Sequence, residues 1–276
     1  MPRIDADGVE LFYESLGEGT PLVLQAHDHS PWLFFQAPYF SQFYRVITFD
    51  RRGTGRSASP PGPWSMADFA RDLRGLLDAL GIERAIIGGS SLGGIITAQF
   101  GLDYPDRTLA LIVGHTVPYL WDLGRQWIRD LMADPRPSLG PQPRSYAWET
   151  VGPPTTNPAF AASPMGQLVA SVGTGLGRER DAILAMYGAM LDWDQRPRYA
   201  ELARLEVPSL VLVGANEPQK TLELAYEWHQ QMAGSEFIVL RETYHAAPRE
   251  NALEWNRTVH AFLDRHGLGG SGPSSG

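Results

Sequence analysis

Gly89-Ser90-Ser91-Leu92-Gly93 is the segment whose residue types and spacing are suited to covalent chemistry. An apolar run over 84–89 ends at its first glycine, and a helical pattern begins at Leu92. A serine on a sharp strand-to-helix turn is pushed out of the sheet, and the flanking positions must be small to avoid clashes. Gly89 and Gly93 supply that space, so Ser91 is the candidate nucleophile, while Ser90 has the wrong spacing to the glycines. The following helix offers unpaired N–H groups and positive potential beside Ser91. A serine hydroxyl is a poor nucleophile at neutral pH and needs a base within hydrogen-bond reach. Seven histidines are available to supply it. The plain alternative is a Gly/Ser-rich turn that packs a helix against a sheet.

Other chemistries are narrowed by composition. There are no cysteines, which excludes disulfides, thiolate metal sites and a cysteine nucleophile. His27-Asp28-His29 could be read as metal ligands. Three near-adjacent ligands cannot converge on one ion without a bend, and no fourth is evident, so no metal and no cofactor is expected. The formal net charge of −8 argues against a nucleic-acid partner, which would need a basic face. No apolar stretch reaches the roughly 20 residues that cross a bilayer. Met1-Pro2-Arg3-Ile4-Asp5 lacks the apolar core of a secretory signal, so the expected partner is a small molecule and the expected location cytoplasmic. Nothing in the sequence speaks to an oligomeric state.

Those residues need a scaffold, and the patterning describes one. Hydrophobic residues make up 43% of the chain and charged residues 20%, the balance of a packed globular interior. Asp7-Gly8 between two short alternating runs predicts a type I′ hairpin pairing 2–6 with 9–15. Apolar runs at 21–27, 44–50, 84–89, 108–115, 208–215 and 236–241 have few alternating polar residues, as parallel strands covered on both faces require. Helical patterns fall between them, at 66–80, 92–102, 222–232 and 251–265. Ser65 and Asp68 form a capping-box pattern at the first of these, and Gly81 supplies its stop. A hairpin followed by alternating strands and helices is an α/β domain with a mostly parallel sheet.

The alternation breaks over 117–205, a stretch rich in Pro and aromatics that also carries a helix pattern at Ile183, Leu184, Met186, Tyr187, Met190 and Leu191. It is expected to be a mainly helical cap over one end of the sheet, with 1–116 and 206–268 as the core. The terminal Ser271-Gly272-Pro273-Ser274-Ser275-Gly276 reads as an appended tail outside the fold.

With the Gly89–Gly93 turn stand Asp50-Arg51-Arg52-Gly53-Thr54-Gly55-Arg56-Ser57 and a late histidine. Together they resemble the α/β-hydrolase fold superfamily, nearly over the whole chain up to about Gly267. The resemblance implies an eight-stranded mostly parallel sheet flanked by helices, with the cap inserted after strand 6, and a triad in the order nucleophile, acid, histidine. It places the catalytic histidine in the loop after the last strand, where His245 matches; His260 and His266 fall in or after the terminal helical pattern, where a surface role is expected. It places the acid three residues beyond a glycine after strand 7, where Gly214 is followed by Glu217 instead of the usual aspartate. An alternative acid site follows strand 6, and there the chain reads Gly114-His115-Thr116-Val117, with no carboxylate. By alignment the backbone N–H groups of His29 and Leu92 are the oxyanion donors. Asp28 replaces a glycine common in relatives and tolerates a left-handed backbone better than most residues.

The expected chemistry is acyl transfer through Ser91, His245 and Glu217, on a small to medium apolar ester or lactone. Asp28, Trp121, Trp148, Met186 and Trp193 are candidate substrate-binding residues, although such aromatics and methionines more commonly form a cap's own core. The resemblance extends to carbon–carbon hydrolases of β-diketone-like substrates and to enol-lactone hydrolases. Two other classes remain: a receptor of this fold with little turnover, and a cofactor-free dioxygenase or lyase using His245 as base.

Overall fold

A computed structural model describes residues 2–25, 30–135, 156–173 and 179–270. Its centre is an eight-stranded sheet in the order β1-β2-β4-β3-β5-β6-β7-β8. The strands are β1 (Arg3–Asp5), β2 (Glu10–Leu16), β3 (Pro21–Gln25), β4 (Arg45–Phe49), β5 (Ala85–Ser90), β6 (Thr108–Gly114), β7 (Ser209–Gly214) and β8 (Glu236–Leu240). β2 pairs antiparallel with both β1 and β4, and every later pairing is parallel. The β1–β2 turn is the two-residue hairpin that Asp7-Gly8 predicts. Asp7 and Gly8 both have positive φ, 59° and 90°, and Ala6 and Val9 exchange backbone hydrogen bonds across it.

The continuous apolar runs make sense once both faces are inspected. Val23, Ile47, Ile87, Leu111, Val113, Val211 and Val213 point into one core cluster. Their strand neighbours Leu22, Leu24, Val46, Ile86, Ala110, Ile112, Leu210 and Leu212 point into the other. With period-2 alternation and helices on both sides, neither set can be polar.

The first face is covered by α2 (Met66–Ala79) and α3 (Leu92–Asp103). The second is covered by α1 (Ser30–Phe40) and by a C-terminal helix over Ala252–Arg265. Ser65 caps α2 as its sequence predicts, accepting from the Asp68 N–H while the Asp68 carboxylate accepts from the Ser65 N–H. The loop after β4 is pinned by ion pairs. Arg52 donates to both oxygens of buried Asp72 at 2.6 Å, and buried Asp50 accepts from the Arg56 N–H and side chain.

Between β6 and β7 the described residues form α4 (Asp122–Ala133), α5 (Pro158–Ala162), α6 (Pro164–Gly173), α7 (Arg180–Leu191) and α8 (Tyr199–Leu202). The two crossings into this insertion are tied together: Tyr119 bridges Asp194, and the Gln195 N–H donates to the Pro118 carbonyl at 2.9 Å. α7 buries Ala182, Ile183, Met186, Tyr187 and Met190 in the same cluster that α2 and α3 share with the sheet. Three helices lie in the C-terminal part. α9 (Gln219–Gln231) follows β7, α10 (Ala247–Glu250) follows β8, and the terminal helix is α11 (Ala252–Arg265). Among the described residues no helix is long and apolar enough to cross a membrane.

Candidate active site

Ser91, Glu217 and His245 follow β5, β7 and β8, at the carboxyl ends of these parallel strands. Ser91 occupies the turn between β5 and α3 with φ 58° and ψ −123°. That is strained backbone for a residue with a side chain, and it persists only where the surroundings over-determine it. Here the Ser91 N–H donates to the Gly114 carbonyl at 2.9 Å, and the Ser91 carbonyl accepts from Ile95 at 3.1 Å. Gly89 makes the turn possible, because a Cβ there would overlap the Gly93 carbonyl. Ahead of Ile95, the N–H groups of Leu92, Gly93 and Gly94 lie in the first turn of α3, without acceptors from within the helix.

Glu217 follows β7, and its side chain is fully buried. Its Oε1 accepts from the Gly214 N–H at 3.0 Å and from His115 Nδ1 at 2.8 Å. Its Oε2 faces His245 Nδ1 at 3.0 Å. Burial by itself would push the carboxyl up, but the hydrogen bonds from His115 and His245, with the charges of those rings, hold it well below the usual glutamate range. An ionised carboxylate only accepts, so the Nδ1 of each ring is the protonated nitrogen. Whenever the His245 ring is neutral, its lone pair is therefore on Nε2.

His245 is delivered by a loop stitched to the end of β7. The Asn216 N–H donates to the Thr243 carbonyl at 2.9 Å, and buried Thr243 returns its hydroxyl to the Leu240 carbonyl at 3.0 Å. The loop can come this close because residue 214 is glycine: a Cβ there would sit 2.6 Å from the carbonyl oxygens of Thr243 and Tyr244. Beyond it the Glu250 carboxylate accepts from the Tyr244 and Asn157 N–H groups. Burial pushes the Glu250 carboxyl up, against the pull of those N–H groups and of the His115 charge. The His245 side chain is 32% exposed, whereas Glu217 and His115 are sealed off.

His115 is the residue that sequence reasoning passed over. The alternative acid position after β6 holds an imidazole, bonded to the carboxylate that follows β7. Its signal was its place in the chain, since strand ends next to the Ser91 turn are where reactive groups converge. Its backbone, with φ 53°, is anchored by its N–H on the Leu212 carbonyl at 2.7 Å.

The remaining expectations divide. His29, Asp28 and Trp148 lie outside the described residues. Leu92 opens α3 beside Ser91. Met186 and Trp193 are each 3% exposed and belong to the main core cluster. Trp193 donates its indole N–H to the Val117 carbonyl at 2.9 Å and packs edge-on against Trp228. Packing of the insertion against the sheet is what these two side chains serve. Trp121 is half-buried and lies over Gly124 at the start of α4. His260 is only partly exposed. It is enclosed by Tyr39, Phe40, Phe43 and Tyr44, which come from α1 and the turn after it. Among the described residues no group of three or more His, Asp or Glu is placed to hold a metal ion.

Comparison with known proteins agrees with this architecture. The family model described as the alpha/beta hydrolase fold matches residues 25–135. A putative carbamate hydrolase, RutD, of Azorhizobium caulinodans is 36% identical over 115 residues, covering 41% of this chain and 43% of that protein, so the match spans less than half of the relative's length. 3-Oxoadipate enol-lactonase 2 of Acinetobacter baylyi is 27% identical over 235 residues, 83% of this chain and 82% of the relative. The crystal structure of the enol-lactonase from Burkholderia xenovorans superposes with a TM-score of 0.77 at 24% identity, covering 95% of this chain and all of that one, a likeness of fold.

Proposed function

The chain belongs to the α/β-hydrolase fold superfamily, whose relatives found here are hydrolases, and on that premise we propose that it is a serine hydrolase of carboxylic esters or lactones. The observation that carries the proposal is the Glu217–His245 hydrogen bond, which lies at the same carboxyl edge of the sheet as a serine held in a strained strand-to-helix turn. Glu217 fixes the tautomer of His245 and leaves Nε2 free to accept a proton. Nε2 takes the Ser91 hydroxyl proton as Oγ bonds to the substrate carbonyl carbon. The carbonyl oxygen becomes the oxyanion, opposed by the Leu92 N–H and the helix dipole of α3. By resemblance, the His29 N–H serves as the second donor. Collapse breaks the bond to the leaving oxygen, which takes the proton from Nε2. Water then enters, gives a proton to Nε2 and attacks the acyl carbon, and Ser91 leaves with that proton.

The full-length likeness to an enol-lactonase favours a lactone or ester carbonyl within this class. The match to a carbamate hydrolase covers too little of that protein to choose its substrate. The helices between β6 and β7 serve as the cap in this reading. Ser91→Ala is expected to fold normally and to lose turnover of p-nitrophenyl acetate and labelling by a fluorophosphonate. Esters, a five-membered enol lactone and a carbamate compared side by side rank the substrate classes. Turnover of the ester that survives intact in Ser91→Ala overturns the proposal.

A further inference from the structure

We infer that His115 is a positioning residue of this site: it locks the carboxylate that orients the catalytic imidazole. The inference rests on the serine-hydrolase reading above and goes beyond the triad itself. Its geometric basis is that one buried carboxylate serves two imidazoles, His115 on Oε1 at 2.8 Å and His245 on Oε2 at 3.0 Å. The Gly214 N–H alone would hold only one corner of the carboxylate, which could still turn about its last bond. A second donor, from the adjacent strand β6, removes that freedom and presents Oε2 to His245.

Three features of His115 fit a role beyond filling space. Its ring is fully buried, where a bulky apolar residue would pack at no polar cost. Its backbone sits at positive φ, a conformation uncommon for any residue that carries a side chain. Its ring lies edge-on to that of His245, with centroids 6.3 Å apart, so it sits directly against the imidazole whose carboxylate it shares. The titratable groups facing the ring are Glu217 after β7, His245 after β8 and Glu250 of α10. Through Gly114, which accepts the Ser91 N–H, the same strand end also braces the nucleophile turn.

Two variants separate positioning from bulk. His115→Asn keeps a donor near the place of Nδ1 and accepts the left-handed backbone. His115→Gly accepts the backbone and removes the donor. Both are assayed well below their melting temperatures for kcat and KM on p-nitrophenyl acetate and for the rate of fluorophosphonate labelling. The glycine variant is expected to lose about 10- to 100-fold in kcat and in labelling rate, with KM within about twofold, as a small misplacement of catalytic groups does. The asparagine variant is expected to recover to within about fivefold of wild type. Wild-type kcat in the glycine variant, or equal losses in the two folded variants, overturns the role of His115. Should the glycine variant not fold, proton NMR of the wild type decides: two protected downfield imidazole N–H resonances at pH 7, both lost in Glu217→Gln, are expected, and a single one overturns the inference. A dead Ser91→Ala with an undisturbed His115→Gly ends this inference alone, whereas an active Ser91→Ala ends the hydrolase reading first.

Discussion

Two glutamates in this molecule hold the same post with different neighbours. Glu217 accepts from two imidazoles, His115 and His245, and joins the ends of β6, β7 and β8. Glu227 on α9 accepts from two phenols, Tyr119 at 3.1 Å and Tyr199 at 2.9 Å, and joins the insertion to the core. Each carboxylate is a two-armed clamp. The difference lies in what the arms can do with a proton. An imidazole has a second ring nitrogen that can take a proton while Nδ1–H stays on the carboxylate, whereas burial and the Glu227 hydrogen bond push both tyrosines further up from an already high value. The first clamp can therefore take part in proton transfer, and the second can only hold the insertion in place. Geometry alone does not make a site; the number of nitrogens or oxygens a donor can offer to a proton does.

The strongest way to break this comparison is to remove the charge from Glu217. In Glu217→Gln an amide offers N–H as well as C=O, so it no longer imposes Nδ1–H on His245. A triad acid replaced by its amide elsewhere costs about 10⁴ in kcat through the wrong tautomer, and a loss of about 10³ to 10⁴ is expected here. Steady-state assay of the purified variant on p-nitrophenyl acetate measures it. A loss smaller than tenfold would put Glu217 on the same footing as Glu227.

A smaller effect is expected in stability under acid. The Glu217 carboxyl is held below its ordinary 4.5 in the folded protein. A group depressed on folding contributes stability above its unfolded value and loses that contribution as pH falls through the folded value. Wild type should thus exceed Glu217→Gln most clearly at pH 5 to 7, and the gap should shrink as pH drops below 4.5. Urea melts of both proteins across that range read the gap directly, and other acid-sensitive carboxylates, such as Asp68 and Glu236, cancel in the difference. A gap that stays constant down to pH 3 contradicts the depressed carboxyl.

Some of this was legible in the sequence for physical reasons, and some was not. The Asp7-Gly8 hairpin, the Ser65–Asp68 box and the strands announce themselves through local chemistry, because each depends on residues a few positions apart. The Gly-x-Ser-x-Gly turn is local in the same way. The helix α1 is hidden: with Pro31 and Pro38 in its span and apolar residues all round, it shows no stripe, since Trp32, Ala37 and Phe40 face the sheet while Phe34 is exposed. His260 misled because its aromatic enclosure comes from residues more than two hundred positions earlier. His115 escaped for the same reason, its carboxylate lying 102 residues away. The pairing of Glu217 with His245 came from a resemblance, since no spacing rule joins two loops across β8.

The gentlest test sharpens the comparison from the side of Glu227. Tyr119 and Tyr199 flank the insertion, Tyr199 opening α8, and the Arg196 guanidinium lies 4.1 Å over the Tyr119 ring. Glu227→Gln keeps the shape of the side chain and can still accept from one phenol. The other phenol must accept from the amide N–H instead of donating, and both bonds become neutral in place of charge-assisted ones, at a cost of about 1 kcal/mol. For a chain of this size that lowers Tm by about 2–4 °C. Because neither phenol exchanges its proton near neutrality, kcat on p-nitrophenyl acetate is expected to stay within about twofold of wild type, with no change in its pH profile. Thermal melts and a pH series on one preparation measure both. A kcat loss comparable to that of Glu217→Gln would mean that the second clamp, too, reaches the reacting atoms, and the division between a clamp for chemistry and a clamp for structure would be lost.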